Sequence, residues 1–339
     1  MKAVAVLRPG EVGVVDIPAP EPREYECLVR VHACGLCNGT DLKIIADEVG
    51  EETVEYPCIL GHENVGEVVE CGSEVKYIEP GDRFLNPIGR LAPGTPYGRM
   101  YGAMKDYAIV QDHRAMDELG VPKEEYDGAY TCPVPPEIDP ADCGVILTLK
   151  EAYSALGNFG FEPGMEVLIY GDGPVGLAMT NFLRLRDAGW VGCIGHHDDR
   201  LSRIERVSAP DLTLNSKEQD VRDVLDGRLM DLVIDAVGAT AIIREGSQLL
   251  KPGGKVGAFG VLSPRDAEIS LLELKNHTSV HMLNWPYREH ETHDEIVQMA
   301  LDGTIDLTDY YSHVMPAEQA AEAVRMVKSR EALKVILTF

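Results

Sequence analysis

Gly171-Asp172-Gly173-Pro174-Val175-Gly176 constrains the fold of this chain more than any other stretch. It reads Gly-x-Gly-x-x-Gly, follows the apolar β-type run Glu166–Tyr170 and opens a helical segment expected over Leu177–Ala188. The first glycine permits a tight turn, the second lets main chain approach a pyrophosphate, and the third allows close helix–strand packing. The helix N-terminus adds unpaired N–H groups for the anion, and Pro174 and Val175 of the motif are among the expected cofactor contacts. Strands and helices then keep alternating: Val191–Ile194, Leu201–Val207, Leu232–Ala236 and Lys255–Phe259. That alternation implies α/β architecture with a parallel, doubly wound sheet. Val237 and Gly260, just beyond two of the strands, join the expected cofactor contacts.

The second strand of such a unit should end, about 20 residues on, in an acid that reads the adenosine ribose of NAD. Gly195 stands there instead. A missing carboxylate removes repulsion toward a 2′-phosphate, and His196, His197 or Arg200 would donate to it. NADP is therefore the expected cofactor, with NAD the alternative if Asp198 or Asp199 reaches the ribose.

Residues 1 to about 112 read differently. Short β segments (Met1–Leu7, Glu26–Ala33, Gly66–Glu70, Ala103–Val110) are broken by Gly and Pro, an all-β, barrel-like pattern. Residues 86–102 are Gly/Pro-rich and irregular, and 113–138 carry an extra polar piece from Met116 to Tyr130. Asp139-Pro140 opens a helix expected to run to about Asn158. Near the end, Glu291–Leu301 and Ala317–Ser329 read as helices and Lys334–Phe339 as a strand. The α/β block is thus inserted into a β-rich domain. The expected domains are 1–150 with 287–339, and 151–286; a length of 339 residues suits two.

The net charge of −25 argues against nucleic acid or an anionic membrane as a partner, since either needs a basic face. No apolar run reaches the roughly 18 residues of a membrane span, and the N-terminal apolar run is too short for a signal peptide. Eight dispersed cysteines form no disulfide framework and fit a reducing, cytoplasmic compartment.

Gly61-His62-Glu63 sits at a turn between apolar segments, and Cys37 lies 25 residues before His62. Thiolate, imidazole and carboxylate together suit zinc with a position left open. Zinc polarises a carbonyl or lowers the pKa of a bound alcohol, and Thr40, both donor and acceptor, would pass the proton outward. Cys34 pairs with Cys37 in a C-x-x-C, but no second pair exists, so Cys34 reads as a packing residue. No four-cysteine cluster is available for a structural zinc. His290 and His293 stand at i, i+3 with no further anchor and read as core or surface residues, not a metal pair.

Several pieces in order carry a resemblance: Gly35-Leu36-Cys37 with Thr40-Asp41, Gly61-His62-Glu63 with Gly66, and Pro80-Gly81-Asp82-Arg83-Phe84. Pro163-Gly164, Gly171–Gly176, Asp235-Ala236-Val237-Gly238 and Lys251-Pro252-Gly253-Gly254 follow. The chain resembles the medium-chain dehydrogenase/reductase superfamily in its zinc-dependent alcohol and polyol dehydrogenase branch. The resemblance implies a GroES-like catalytic domain, a Rossmann domain and a homodimer or homotetramer. It makes Cys37 and His62 zinc ligands, Glu63 a switching ligand or outer partner, and Thr40 the relay hydroxyl, with one catalytic zinc per chain.

The sequence departs from the family in two places near that site. Asn38-Gly39 adds one residue between Cys37 and Thr40-Asp41, so the loop must bulge. The family's remaining ligand, about 24 residues before the glycine motif, falls on Leu147, which binds no metal; Glu151, one helical turn on, is the substitute. Lys150 would neutralise Glu63 or donate to a substrate oxygen, and Lys43 takes the place where the family's relay often ends in histidine. The resulting reading is an oxidoreductase interconverting a small secondary alcohol and a ketone. Polyol, sugar or cyclitol substrates are favoured by the polar side chains Lys150, Glu151, Asn86 and Arg90. A zinc-free, NADPH-dependent enone or quinone reductase is the first alternative, and a non-catalytic nucleotide-binding protein the second.

Overall fold

The computed structural model describes residues 1–49, 54–127 and 131–339. The chain divides into two compact units, Met1–Leu147 with His293–Phe339, and Thr148–Thr292. The C-terminal segment thus returns to the unit built by the N-terminal one.

The first unit is β-rich. A four-stranded sheet joins Lys2–Arg8, Glu11–Asp16, Cys58–Ile59 and Gly98–Arg99. A seven-stranded sheet runs His313–Pro316, Val335–Thr338, Glu26–Gly35, Glu63–Cys71, Arg83–Leu85, Cys132–Pro133, with Tyr107–Gln111 also pairing Glu26–Gly35. The long strand Glu26–Gly35 lies at its centre. Its last residue, Gly35, is opposite Glu63 on one side and Ile336 on the other. That register brings the start of one strand and the final strand of the chain to the same end of the sheet. Val4, Val6, Leu36, Ile44, Ile45 and Leu60 form a core closed by Ala320, Ala323, Val324 and Val327 of the helix Ala320–Lys328. Those last positions recur at i, i+3, i+4 and i+7, the spacing that lays one helix face on a core. Each large aliphatic side chain so buried contributes about 1.5–3 kcal/mol.

The second unit is a six-stranded parallel sheet ordered Leu212–Asn215, Trp190–Gly195, Glu166–Tyr170, Met230–Asp235, Leu250–Ala258, Ser279–Met282. The strand order reverses between Glu166–Tyr170 and Met230–Asp235, the switch point at which doubly wound sheets bind nucleotides. The central strands, at Val167–Ile169, Val191–Ile194 and Leu232–Ile234, are buried and apolar on both faces, as helices on both faces of a parallel sheet require. Helices follow at Pro174–Leu185, Asp198–Ser208 and Thr240–Gln248.

Three local differences from the sequence expectation have clear causes. The helix after the glycine motif starts at Pro174, not Leu177, because proline fixes a helical φ in the first turn and forfeits an N–H that would be unpaired anyway. The helix expected from Asp139 to Asn158 is two, Pro140–Cys143 and Ile146–Asn158, broken at Gly144. A Cβ there would press to within 2.9 Å of Ile336, so the break lets the chain lie close to the final strand. The polar piece after 112 contains a helix, His113–Leu119, capped where Asp112 accepts the Ala115 N–H at 3.0 Å and ended by left-handed Gly120. The last residues of that piece, Gly128–Tyr130, lie outside the described residues.

Candidate active site

Cys37, His62 and Glu63 converge in the first unit, with a ligand atom of each within 4.8 Å of the others. Among the described residues no other group of three His, Cys, Asp or Glu side chains is so placed. The strand Glu26–Gly35 delivers Cys37 two residues past its end, and Glu63 begins the strand paired to it. The extra residue between Cys37 and Thr40 closes on itself. Asn38 Nδ2 donates to the Leu333 carbonyl at 2.7 Å, the Thr40 N–H points at Cys37 Sγ at 3.4 Å, and the Cys37 N–H donates to Asp41 Oδ2 at 2.8 Å. Thr40 then opens the helix Thr40–Ala46 beside the thiol.

Asp41 is fully buried, and its Oδ1 stands 3.7 Å from His62 Nδ1. A carboxylate behind a ligand histidine fixes the ring and raises its basicity. Burial pushes the His62 pKa down, but the hydrogen bond to Cys37 and the charges of Asp41, Cys37 and Glu63 outweigh it, raising the pKa to about 10. A proton is thus held among a thiol and two carboxylates, where a divalent cation would serve better. Thiolate, imidazole and carboxylate are the donor set of catalytic zinc, so the residues present fit that ion. The His62 ring lies 4.8 Å, centroid to centroid, from Tyr101, an exposed side chain.

Glu63 is ion-paired with Lys334, and the two are 3% and 1% exposed. Burial pushes the lysine pKa down, but Glu63, Cys37 and Asp41 reverse this and it is raised. Sequence reasoning offered Lys150 to neutralise Glu63 or to donate to a substrate oxygen, and it did not name Lys334. A signal existed: Lys334 is the lone charge in the apolar run Ala332–Leu337. Gly35 is needed beside the pair, because any side chain there would collide with the Gly144 carbonyl and the Glu63 carboxylate. Cys34 is a buried member of the apolar core, as its reading required.

Leu147 is the last residue of the first unit's N-terminal segment; Lys150, fully buried, and Glu151 belong to the second unit on the helix Ile146–Asn158. Lys43 lies on the helix Thr40–Ala46. Arg90, expected in a polar cleft, is committed to buried Glu26 by two hydrogen bonds of 2.5 Å each. Asn86 holds a left-handed turn, its N–H donating to the Asn64 carbonyl at 2.8 Å. His293 is buried with Nε2 2.8 Å from the Pro133 carbonyl, the core one of its two expected settings.

In the second unit the glycine motif does what its spacing predicts. Gly171 has a φ of 132°, a Cβ on Gly176 would strike the Gly171 carbonyl, and Gly173 faces open space at the N-terminus of the helix Pro174–Leu185. That open, donor-rich turn fits a pyrophosphate. Buried Asp235 accepts the N–H groups of Val237, Gly238 and Ala239, each at 2.9 Å. It thereby locks the loop that presents Val237, 55% exposed, and Gly260 packs against Gly238 with no room for a side chain.

The strand end at Gly195 corrects the sequence reading. The site does not lack a carboxylate: Asp172, from inside the glycine motif, fills it. Its Oδ2 accepts the N–H of His196 at 2.7 Å, the N–H of His197 at 2.9 Å and meets His197 Nδ1 at 2.9 Å, while Arg200 lies 3.9 Å from Oδ1. Burial raises the Asp172 pKa, but these donors and charges outweigh it and hold it below the ordinary value. Asp198, the alternative ribose partner, accepts from Asn215 Nδ2 at 2.7 Å.

Residues 23–122 match the alcohol dehydrogenase GroES-like domain family, and residues 210–337 match the zinc-binding dehydrogenase family. The chain is similar to human sorbitol dehydrogenase, 26% identical over 345 residues covering 99% of this chain and 95% of that one. It is also similar to the NADP-dependent isopropanol dehydrogenase of Thermoanaerobacter brockii, 29% identical over 272 residues covering 76% and 74%. Among solved structures, alcohol dehydrogenase TADH from Thermus sp. ATN1 superposes with a TM-score of 0.78 at 25% identity, covering 100% of this chain and 99% of that one. With the two family matches, the GroES-like and Rossmann units and the Cys37–His62–Glu63 cluster on the page, the chain is a member of the zinc-dependent alcohol and polyol dehydrogenase branch of the medium-chain dehydrogenase/reductase superfamily.

Proposed function

We propose that this protein oxidises a small secondary alcohol, a polyol in the first instance, to a ketone and catalyses the reverse, with Cys37, His62 and Glu63 holding one catalytic zinc. The convergence of those three donor atoms within 4.8 Å carries the reading. Zinc, when bound, supplies Lewis acidity to the alcohol oxygen, and the nicotinamide takes up the hydride. The chain's own residues do the rest. Asp41, 3.7 Å behind His62 Nδ1, supplies negative charge that favours a cation at the site. Lys334 balances the Glu63 carboxylate, so that Glu63 can serve as a ligand or stand back from the ion. The Thr40 hydroxyl, on the first residue of the helix Thr40–Ala46, would accept the alcohol proton and release its own outward to solvent, past Lys43 on the same helix. Three protein donors leave a position open for substrate, so Leu147 in place of the family's further ligand does not disable the site; Glu151 is the proposed extra ligand.

Gly171, Gly173 and Gly176 bind the dinucleotide with Val237 and Gly260. NADP is the preference suggested by Gly195, and the carboxylate of Asp172 supports NAD instead. A homodimer or homotetramer is supported by the edge strand Ser279–Met282, whose Val280 and Met282 are exposed; Trp285, Leu271 and Leu272 of the same unit are exposed too. Eight free cysteines support a cytoplasmic location; no helix among the described residues is long and apolar enough to cross a membrane. The decisive experiment measures bound metal by elemental analysis, then turnover of secondary alcohols and polyols with NAD and NADP, before and after chelation. One equivalent of zinc, with activity lost on chelation and regained on adding zinc, is expected. Undiminished activity in metal-free protein refutes the reading and favours the zinc-free reductase.

A further inference from the structure

The turn after the strand Trp190–Gly195 is a small anion nest: two consecutive backbone N–H groups and the ring nitrogen of His197 converge on one oxygen, and the guanidinium of Arg200 stands 3.9 Å from its neighbour. In this chain the nest is filled from within by the carboxylate of Asp172. Gly195 is glycine for the same reason, because a Cβ there would lie 2.5 Å from Asp172 Oδ2 and 2.6 Å from its Cβ. The strand-end acid has not been lost. It has moved 23 positions back along the chain, into the glycine motif.

We propose that Asp172 is the cofactor-selecting residue of this protein and that it selects NAD over NADP, which rests on the reading of the chain as a nicotinamide-dependent dehydrogenase. The chemistry has two parts. A 2′-phosphate would have to share its donors with an anion already seated among them, so the His197 ring nitrogen is engaged and the Arg200 charge is compensated before the cofactor arrives. Asp172 Oδ2 has three donors and is saturated, whereas Oδ1 stands 3.9 Å from Arg200, too far for a hydrogen bond to it, and is the oxygen that takes a ribose hydroxyl.

Direct binding tests this without turnover. Calorimetric titration of the purified chain with NAD+ and with NADP+ should give at least about tenfold tighter binding of NAD+. Asp172→Asn, which keeps the shape and removes the charge, should bring the two affinities to within about threefold by weakening NAD+ and strengthening NADP+. Should that substitution disturb the turn, the exchange Asp172→Gly with Gly195→Asp returns the acid to the strand end and should restore the NAD+ preference. Tighter binding of NADP+ by the unaltered protein, or an unmoved ratio in Asp172→Asn, overturns the assignment while leaving the dehydrogenase reading intact. Failure to bind either dinucleotide overturns both.

Discussion

Lys334→Met is the most informative single change in the metal site. Lys334 and Glu63 form an ion pair at 1% and 3% exposure, and Asp41, also fully buried, adds a second negative group to the same pocket. Methionine matches the lysine stem in volume but removes the ammonium paired with the buried Glu63 carboxylate. Breaking a buried pair from one side costs about 3–5 kcal/mol. Against the roughly 5–15 kcal/mol that holds a domain folded, this is a large share. The loss should depend on metal, because a divalent cation beside Glu63 would take over the charge compensation that Lys334 supplies. Urea denaturation of the metal-free and zinc-loaded protein reads this directly. In metal-free protein the midpoint of Lys334→Met should fall by the equivalent of about 3–5 kcal/mol. With zinc the gap to the unaltered protein should narrow, and adding Glu63→Gln should recover most of the metal-free loss. A variant within about 1 kcal/mol of the unaltered protein, with or without zinc, would refute the view that Lys334 compensates Glu63.

Cys37→Ser and His62→Ala should each abolish stoichiometric zinc by elemental analysis while leaving the far-ultraviolet circular dichroism unchanged. Thr40→Ala should lower kcat roughly a hundredfold or more with little change in KM, and Thr40→Ser should restore it; equal activity in both removes Thr40 from the proton path. Gly35→Ala should lose zinc and stability together, since the added methyl collides with the Glu63 carboxylate and the Gly144 carbonyl. For Glu26, burial raises the pKa, but the Arg90 pair, the Arg23 N–H and Gln111 outweigh it and lower the pKa below 4.5. A depressed carboxyl stabilises the fold above its unfolded pKa and stops doing so as pH falls through the folded one. The melting-temperature gap between the unaltered protein and Glu26→Gln should therefore be full at pH 7 and close below about pH 4.5; a gap independent of pH would refute the charge argument.

Local chemistry made much of this protein legible in one dimension. The glycine motif, the strand before it and the helix after it are contiguous, so their spacing alone specifies a turn that only glycines permit. The inserted α/β block and the β-rich halves around it show in the change of hydrophobic period from two to 3.6 residues. Cys37, His62 and Glu63 could be named because their types are rare in apolar surroundings and match a donor set. What stayed hidden are relations between side chains far apart in sequence. Lys334 meets Glu63 only because the last strand pairs with Glu26–Gly35, and that strand pairs with Glu63–Cys71. Asp172 reaches the end of a neighbouring strand only because parallel pairing sets Tyr170 beside Ile194. Sequence by itself decided which residues were able to bind metal and dinucleotide; tertiary structure decided which charges stand beside them, because burial and strand register, not spacing, determine which groups share a low-dielectric pocket.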